Sequence, residues 1–219
     1  MVDAQANWRA HWDRSAAFYD TNMKLWDRLL FSGQREWACG RAVGQVLEVA
    51  IGTGRNLPFY PDGLPLTGID VSGRMLELAR ARADGLRREV DLRQADAHQL
   101  PFEDASFDTV VCTLSLCAIP DVDQAVREIH RVLRDGGRFV SVDHVVSPHW
   151  LLRRMQGGIE RFSVPSAGEH LRRRPIGNVR AAGFVIEESA RLRGGHVERL
   201  HATKSRERPG AGREPGSGG

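Results

Sequence analysis

The stretch Val46-Leu47-Glu48-Val49-Ala50-Ile51-Gly52-Thr53-Gly54 is an apolar run that ends in a glycine-rich turn. Shortly after it, Leu66-Thr67-Gly68-Ile69-Asp70 is a second apolar run, ending in an acid. Where strands alternate with helices, this pairing shapes a pocket. Small residues at the tip of the first strand let the backbone approach a ligand closely. An acid at the tip of the second is placed to accept hydrogen bonds from both hydroxyls of a ribose.

The alternation needed for such a pocket continues along the chain. Strands are expected at Val46–Ala50, Leu66–Ile69, Val90–Gln94, Thr109–Leu116 and Arg138–Val145. Helices are expected at Asn56–Tyr60, Gly73–Leu86 and Val122–Leu133, with Asp135-Gly136-Gly137 as a tight turn before the fifth strand. Strands alternating with helices imply parallel pairing through right-handed crossovers. Beyond Pro148, Trp150–Phe162 reads as a helix broken at Gly157-Gly158 and Ile176–Ala182 as a short helix. Phe184–Ser189 and Val197–Thr203 read as a final antiparallel pair on the sheet edge. The first 40 residues carry Trp8, Trp12, Trp26 and Trp37 at helical spacings among polar residues, which predicts two or three amphipathic helices. This gives a helical lid over 1–41, a main domain over 42–204 and a disordered tail over 205–219, whose composition cannot bury a core.

The remaining strand ends complete the pocket. Asp96-Ala97 follows the third strand and Cys112-Thr113-Leu114 lies in the fourth. An acid beside a backbone amide suits the edge of an adenine, and ligands of open parallel sheets sit outside the carboxyl ends of the strands. A dinucleotide would need a third glycine to bring its helix close to a pyrophosphate, and Leu57 stands at that place.

Together with Met75-Leu76, Leu100-Pro101-Phe102, Ser106-Phe107-Asp108 and Glu128 through Gly137, these blocks resemble the Rossmann-like S-adenosylmethionine-dependent methyltransferases. The resemblance runs from about Ala42 to His144. It implies an α/β fold with a doubly wound, mainly parallel seven-stranded sheet, helices on both faces, and S-adenosylmethionine as cofactor with S-adenosylhomocysteine as product. It implies that Glu48 organises the amino-acid end of the cofactor and that Gly52 and Gly54 permit close approach. It also implies that Asp70 takes the ribose, that Val71 and Met75 flank the adenine, and that Asp96 with Ala97 reads its edge. Ala50, Cys112 and Thr113 complete the cofactor set, and Tyr19, beside Asp20, closes over it. The chain departs from that family at Ala50, where glycine is usual.

The acceptor is narrowed by a finer resemblance. Val110 through Ala118 and the Asp143-His144-Val145 block look like the alkyl-thiol S-methyltransferases, whose animal members carry an N-terminal membrane anchor. The Asp20, Glu48 and Gly68-Ile69-Asp70 blocks also resemble small bacterial phosphatidylethanolamine N-methyltransferases and menaquinone/ubiquinone C-methyltransferases. A small-molecule thiol is favoured, a lipid or small-molecule amine second, an oxygen or carbon acceptor third. A binding protein that has lost catalysis is the rival from another class. A thiol must lose its proton, and Asp143, His144 and His170 are the candidate catalytic bases.

Composition closes several other routes. Three cysteines are too few for a disulfide framework or a closed zinc site, and no metal is expected. The net charge of +3 is mild and no nucleic-acid module is recognisable. Arginines at Arg153-Arg154 and Arg172-Arg173-Arg174 keep peripheral contact with an anionic lipid in view. The first residues show no basic region followed by an apolar core, so the cytoplasm is the expected location, for a monomer or homodimer.

Overall fold

A computed structural model describes residues 2–167 and 170–205, with side chains from residue 6 onward outside 162–169. The tail from 206 onward, expected to be disordered, lies outside the described residues. Two helices open the chain, α1 (Val2–Leu29) and α2 (Gln34–Cys39). There follow β1 (Val46–Val49), β2 (Leu66–Asp70), α3 (Gly73–Leu86), β3 (Asp91–Gln94) and β4 (Phe107–Thr113). The chain continues through α4 (Val122–Val132), β5 (Leu133–His144), α5 (Trp150–Ala167), α6 (Ile176–Ala181), β6 (Phe184–Leu192) and β7 (Val197–Lys204).

The seven strands form one sheet in the order β3-β2-β1-β4-β5-β7-β6. The first five pair in parallel, and β7 runs antiparallel to both β5 and β6. The strand order reverses between β1 and β4, the crevice where open α/β sheets take their ligands. The expected seven-stranded, mainly parallel architecture is therefore present. Its central strands are buried on both faces because helices cover both: all four residues of β1 are buried, Glu48 among them, and so are Val110, Val111 and Cys112 of β4. Helix α4 turns Val122, Ala125, Val126, Ile129 and Val132 inward and is capped by Asp121, whose side chain accepts from the Gln124 amide.

The first 40 residues hold two helices, within the two or three expected, and α1 runs unbroken for 28 residues because residues 2–29 contain neither glycine nor proline to interrupt it. Three local expectations are corrected. Helix α5 runs through Gly157-Gly158 without a break. Side chains on either side of the glycines anchor it: Gln156 bonds the Ser147 amide and the Val145 carbonyl, and Glu160 accepts from the Arg172 amide. Strand β4 ends at Thr113 rather than Leu116, since Leu114 turns into left-handed backbone at φ 55°. The Asp135-Gly136-Gly137 turn lies inside β5 as a register shift against β4, not ahead of the strand.

The entry to β1 depends on a side-chain clamp. Asp108 accepts from the Gln45 amide at 2.8 Å and from Arg134 at 2.6 Å, while Thr109 exchanges hydrogen bonds with Val43. Gly44 permits the clamp, with φ at +62° and space so tight that a Cβ would lie 2.3 Å from the Asp108 carboxylate. Gly44→Ala is expected to lower stability by about 2 kcal/mol, combining left-handed strain with displacement of Asp108. Denaturant unfolding of the two proteins measures the difference.

Candidate active site

The turn after β1 carries three residues of positive φ, Ala50 (56°), Gly52 (58°) and Gly54 (76°). It is held by the Ile51 amide donating to the Ile69 carbonyl at 2.8 Å and by the Gly52 amide donating to Asp70 Oδ2 at 2.9 Å. The other oxygen of Asp70 accepts from the Ser72 amide at 2.9 Å. Asp70 thus ties the loop after β1 to the start of α3. Burial pushes its carboxyl up to about 6, against the pull of the two amides.

The two glycines have different tasks. A Cβ built on Gly52 would meet nothing within 4 Å, so this residue faces open space in the cleft. A Cβ on Gly54 would lie 2.8 Å from Leu57 Cδ1 and 3.2 Å from Ala79 Cα. Gly54 therefore serves packing against α3, where close approach to a ligand had been expected.

Around this turn opens a narrow cleft between the strand ends and α1. Of the expected cofactor residues, Tyr19, Ala50, Gly52, Asp70, Val71, Met75 and Ala97 line it, and Trp8 and Trp12 of α1 stand on its other side. Glu48, Gly54, Asp96, Cys112 and Thr113 are not among its walls. Asp96 Oδ1 accepts from the His98 amide and lies 2.6 Å from His98 Nδ1. The Asp121 amide donates to His98 Nε2, which puts the ring proton on Nδ1, facing Asp96. Cys112 is fully buried in β4, and burial pushes its thiol well up.

Beneath the turn lies a buried polar network. Glu48 accepts from Asn56 Nδ2 at 2.8 Å and from the Tyr60 hydroxyl at 2.9 Å. Burial pushes its carboxyl up to about 7, although both hydrogen bonds and the nearby Arg35 favour the charged form. Asn56 also bonds Thr113, and Arg35 Nη1 reaches both Asn56 Oδ1 at 2.9 Å and Thr113 Oγ1 at 3.3 Å. Arg35 and Asn56 had no signal in sequence; Arg35 meets Thr113 from 78 positions away.

Helix α1 is fastened over the turn by its acids. Asp13 accepts from Ser72 Oγ at 2.5 Å, Asp20 accepts from Thr53 at 2.6 Å and pairs with Arg55 and Arg82, and Asp27 pairs with Arg35 and Arg55. Its aromatic residues then cap the cleft, with Trp8 set against His98 at 6.1 Å between ring centroids.

The expected catalytic residues gather beside this cleft. Asp143 is buried at the end of β5 and accepts from the Cys117 amide at 3.2 Å and the His144 amide at 2.9 Å. Burial raises its carboxyl above the usual range, opposed by the nearby His144 and by Cys117. The ligand-capable atoms of Cys117, Asp143 and His144 all lie within 4.8 Å of one another. His144 Nδ1 is buried and has no hydrogen-bond partner among the described residues. The His170 amide bonds the Cys117 carbonyl at 3.0 Å, and burial and Arg173 lower its imidazole. Arg173 bonds the Ile119 and Pro120 carbonyls and lies close enough to Cys117 and Asp143 to feel their charge. Cys117 connects the cluster to the cleft, because its neighbours Ser115, Ala118 and Ile119 line the cleft wall.

The residues present fit an adenosyl group bearing an amino acid. Asp70 keeps acceptor capacity beyond its two amides, the Gly52 position is open, and buried Trp8 Nε1 has no hydrogen-bond partner among the described residues. Val71, Met75, Ala97 and Ile119 supply a flat apolar slot.

Residues 47–141 match the family model described as a methyltransferase domain. A phosphatidylethanolamine N-methyltransferase of Cereibacter sphaeroides is 40% identical over 121 residues, 54% of this chain and 60% of that one. The thiol S-methyltransferase TMT1A of Homo sapiens is 36% identical over 139 residues, 61% of this chain and 56% of that one. The chain thus spans little more than half the length of these relatives. A solved methyltransferase structure from Thermotoga maritima superposes with a TM-score of 0.70, covering 90% of this chain and 99% of that one at 22% identity, which speaks to the fold.

Two measurements follow. Ala50→Gly is expected to raise stability by about 1 kcal/mol by relieving a left-handed alanine, read as a higher denaturant midpoint. Glu48 holds its proton more tightly folded than unfolded, so its share of stability falls as pH rises from 4.5 to about 7. Unfolding free energies across that window are expected to slope downward, and Glu48→Gln is expected to flatten the slope, leaving the part that belongs to the other buried carboxyls, Asp70 and Asp143.

Proposed function

We propose that this chain, which carries a class I S-adenosylmethionine-dependent methyltransferase domain over residues 47–141, methylates the sulfur of a small-molecule thiol. The observation that carries the proposal is the cluster beside the cleft. Asp143 and His144 stand together with Cys117, and Arg173, held on the Ile119 and Pro120 carbonyls, is near enough for its charge to be felt by Cys117 and Asp143. Asp70, the open face at Gly52 and the slot at Val71 and Met75 would hold the adenosyl part, with Glu48 and its network beneath the amino-acid end. When bound, the cofactor supplies a methyl group on a sulfonium, open to in-line displacement.

The chain's own part is alignment, exclusion of water and removal of a proton. A thiol entering past Ser115 and Ile119 meets a carboxylate whose raised pKa makes it a better base than an exposed aspartate. With the cofactor bound, its sulfonium would supply the methyl group to the thiol sulfur and would leave as the thioether, and the thiol proton would pass to Asp143 or His144. Arg173 favours the thiolate before transfer. The likeness to the human thiol enzyme supports sulfur, and the likeness to the phosphatidylethanolamine enzyme supports an amine as the second acceptor.

The test is S-adenosylhomocysteine formation with an alkyl thiol, an aryl thiol, a dithiol, phosphatidylethanolamine vesicles and a phenol. Turnover with thiols is expected, and Asp143→Asn is expected to lower kcat/KM for them by about 100-fold with cofactor affinity unchanged. Turnover on vesicles alone reassigns the acceptor to a lipid amine. Tight cofactor binding without turnover on any acceptor overturns the thiol assignment.

A further inference from the structure

Helices α1 and α5 touch, and both leave large apolar side chains in solvent. On α1 these are Phe18, Leu25, Trp26 and Leu29, whose spacings of seven, eight and eleven fall on one face of a helix; Trp26 is 51% exposed. On α5 they are Trp150, Leu151, Met155 and Ile159, the last three in a stripe at intervals of four, and Trp150 is 68% exposed. Single exposed leucines are ordinary, but eight large apolar side chains on two neighbouring helices are not.

The charges on these helices are sorted by sign. The described acids of α1, Asp13, Asp20 and Asp27, are bonded inward to Ser72 and to Arg35, Arg55 and Arg82. The only acid of α5, Glu160, is buried against Arg172. The charged side chains left exposed among the described residues are all basic: Arg9, Arg14, Lys24 and Arg28 on α1, and Arg153, Arg154 and Arg161 on α5. None of the seven has an ion-pair partner among the described residues. The neighbouring arginine run is different, since Arg172 and Arg174 are taken up by Glu160 and Glu198 and Arg173 by backbone carbonyls.

We propose that the outer faces of α1 and α5 form one docking surface for an anionic lipid bilayer. Tryptophan, leucine and isoleucine enter the boundary between headgroups and acyl chains, and the unpaired arginines and lysine meet the anionic headgroups. Among the described residues no helix is long and apolar enough to cross a membrane, so the contact is made from one side. A second copy of this chain would be a poor occupant, because pairing these helices would bring seven unpaired cations against seven more. The adjoining side of α1 lines the cleft through Trp8, Trp12 and Tyr19, so docking would bring the cleft mouth to the lipid surface. The proposal goes beyond the methyl-transfer assignment and does not depend on it, since binding to vesicles is read without turnover.

The experiment is flotation of the full chain with phosphatidylcholine vesicles, with and without phosphatidylglycerol, alongside light scattering to fix oligomeric state. Co-flotation is expected with the anionic vesicles only. Trp150→Ser with Met155→Ser, and separately Arg153→Glu with Arg154→Glu, are each expected to lower partitioning about tenfold or more. Arg127→Glu on α4 is expected to leave it unchanged, and all variants should bind S-adenosylhomocysteine as the parent does. Absence of flotation, equal flotation with neutral vesicles, or indifference to both surface variants would overturn the proposal. So would a homodimer that these variants convert to monomer.

Discussion

The Asp70 carboxylate is the joint on which the ligand-binding end of this sheet depends. One oxygen holds the Gly52 amide, fixing the glycine turn after β1, and the other holds the Ser72 amide at the head of α3. Ser72 in turn caps α3 by accepting from the Met75 amide and donates to Asp13 of α1. A single buried side chain thereby sets the relative positions of two sheet-end loops and, one hydrogen bond further on, of the helix above them. Its raised pKa is the cost of burial, only partly offset by the two amides.

The site has two halves with different physics. The cleft is an apolar slot with few polar groups, each with a backbone-defined position, as suits a ligand held in one orientation. The cluster next to it is dense in titratable groups, with Cys117 and Asp143 buried and His144 and His170 half-buried, and burial shifts Asp143 upward and His170 downward. Cys117 joins the halves through its backbone: its amide donates to Asp143 and its carbonyl accepts from His170, while its neighbours form the cleft wall. The geometry at Cys117 is thus set by the same segment that leaves β4 through the left-handed Leu114.

Much of this architecture was legible because it follows from residue type and period. The strands show as apolar runs, the pocket shows as Gly52 and Asp70 at successive strand ends, and the antiparallel edge shows in the two runs after Gly183. What escaped has physical reasons too. Leu114 and Ala50 adopt positive φ without being glycine, so nothing in their identity marks the turn. Glycines 157 and 158 look like a break, but the bonds made by Gln156 and Glu160 keep the helix whole. Gly54 carries the same letter as Gly52, yet one faces open space and the other a packed side chain. Arg35, Asn56 and Arg82 act across long sequence separations, and local pattern has no access to such pairs.

The three acids on the inner side of α1 give its attachment a particular character. Trp8 and Ala16 pack against the protein in the ordinary apolar way, but Asp20 and Asp27 fasten the helix through partly exposed pairs with Arg35, Arg55 and Arg82. Interactions of this kind are screened by mobile ions over roughly 8–10 Å at physiological strength. The hold of α1 on the cleft is therefore a quantity set by the surrounding electrolyte as well as by the fold: dilute salt tightens it, and concentrated salt loosens it while the apolar core beneath stays intact.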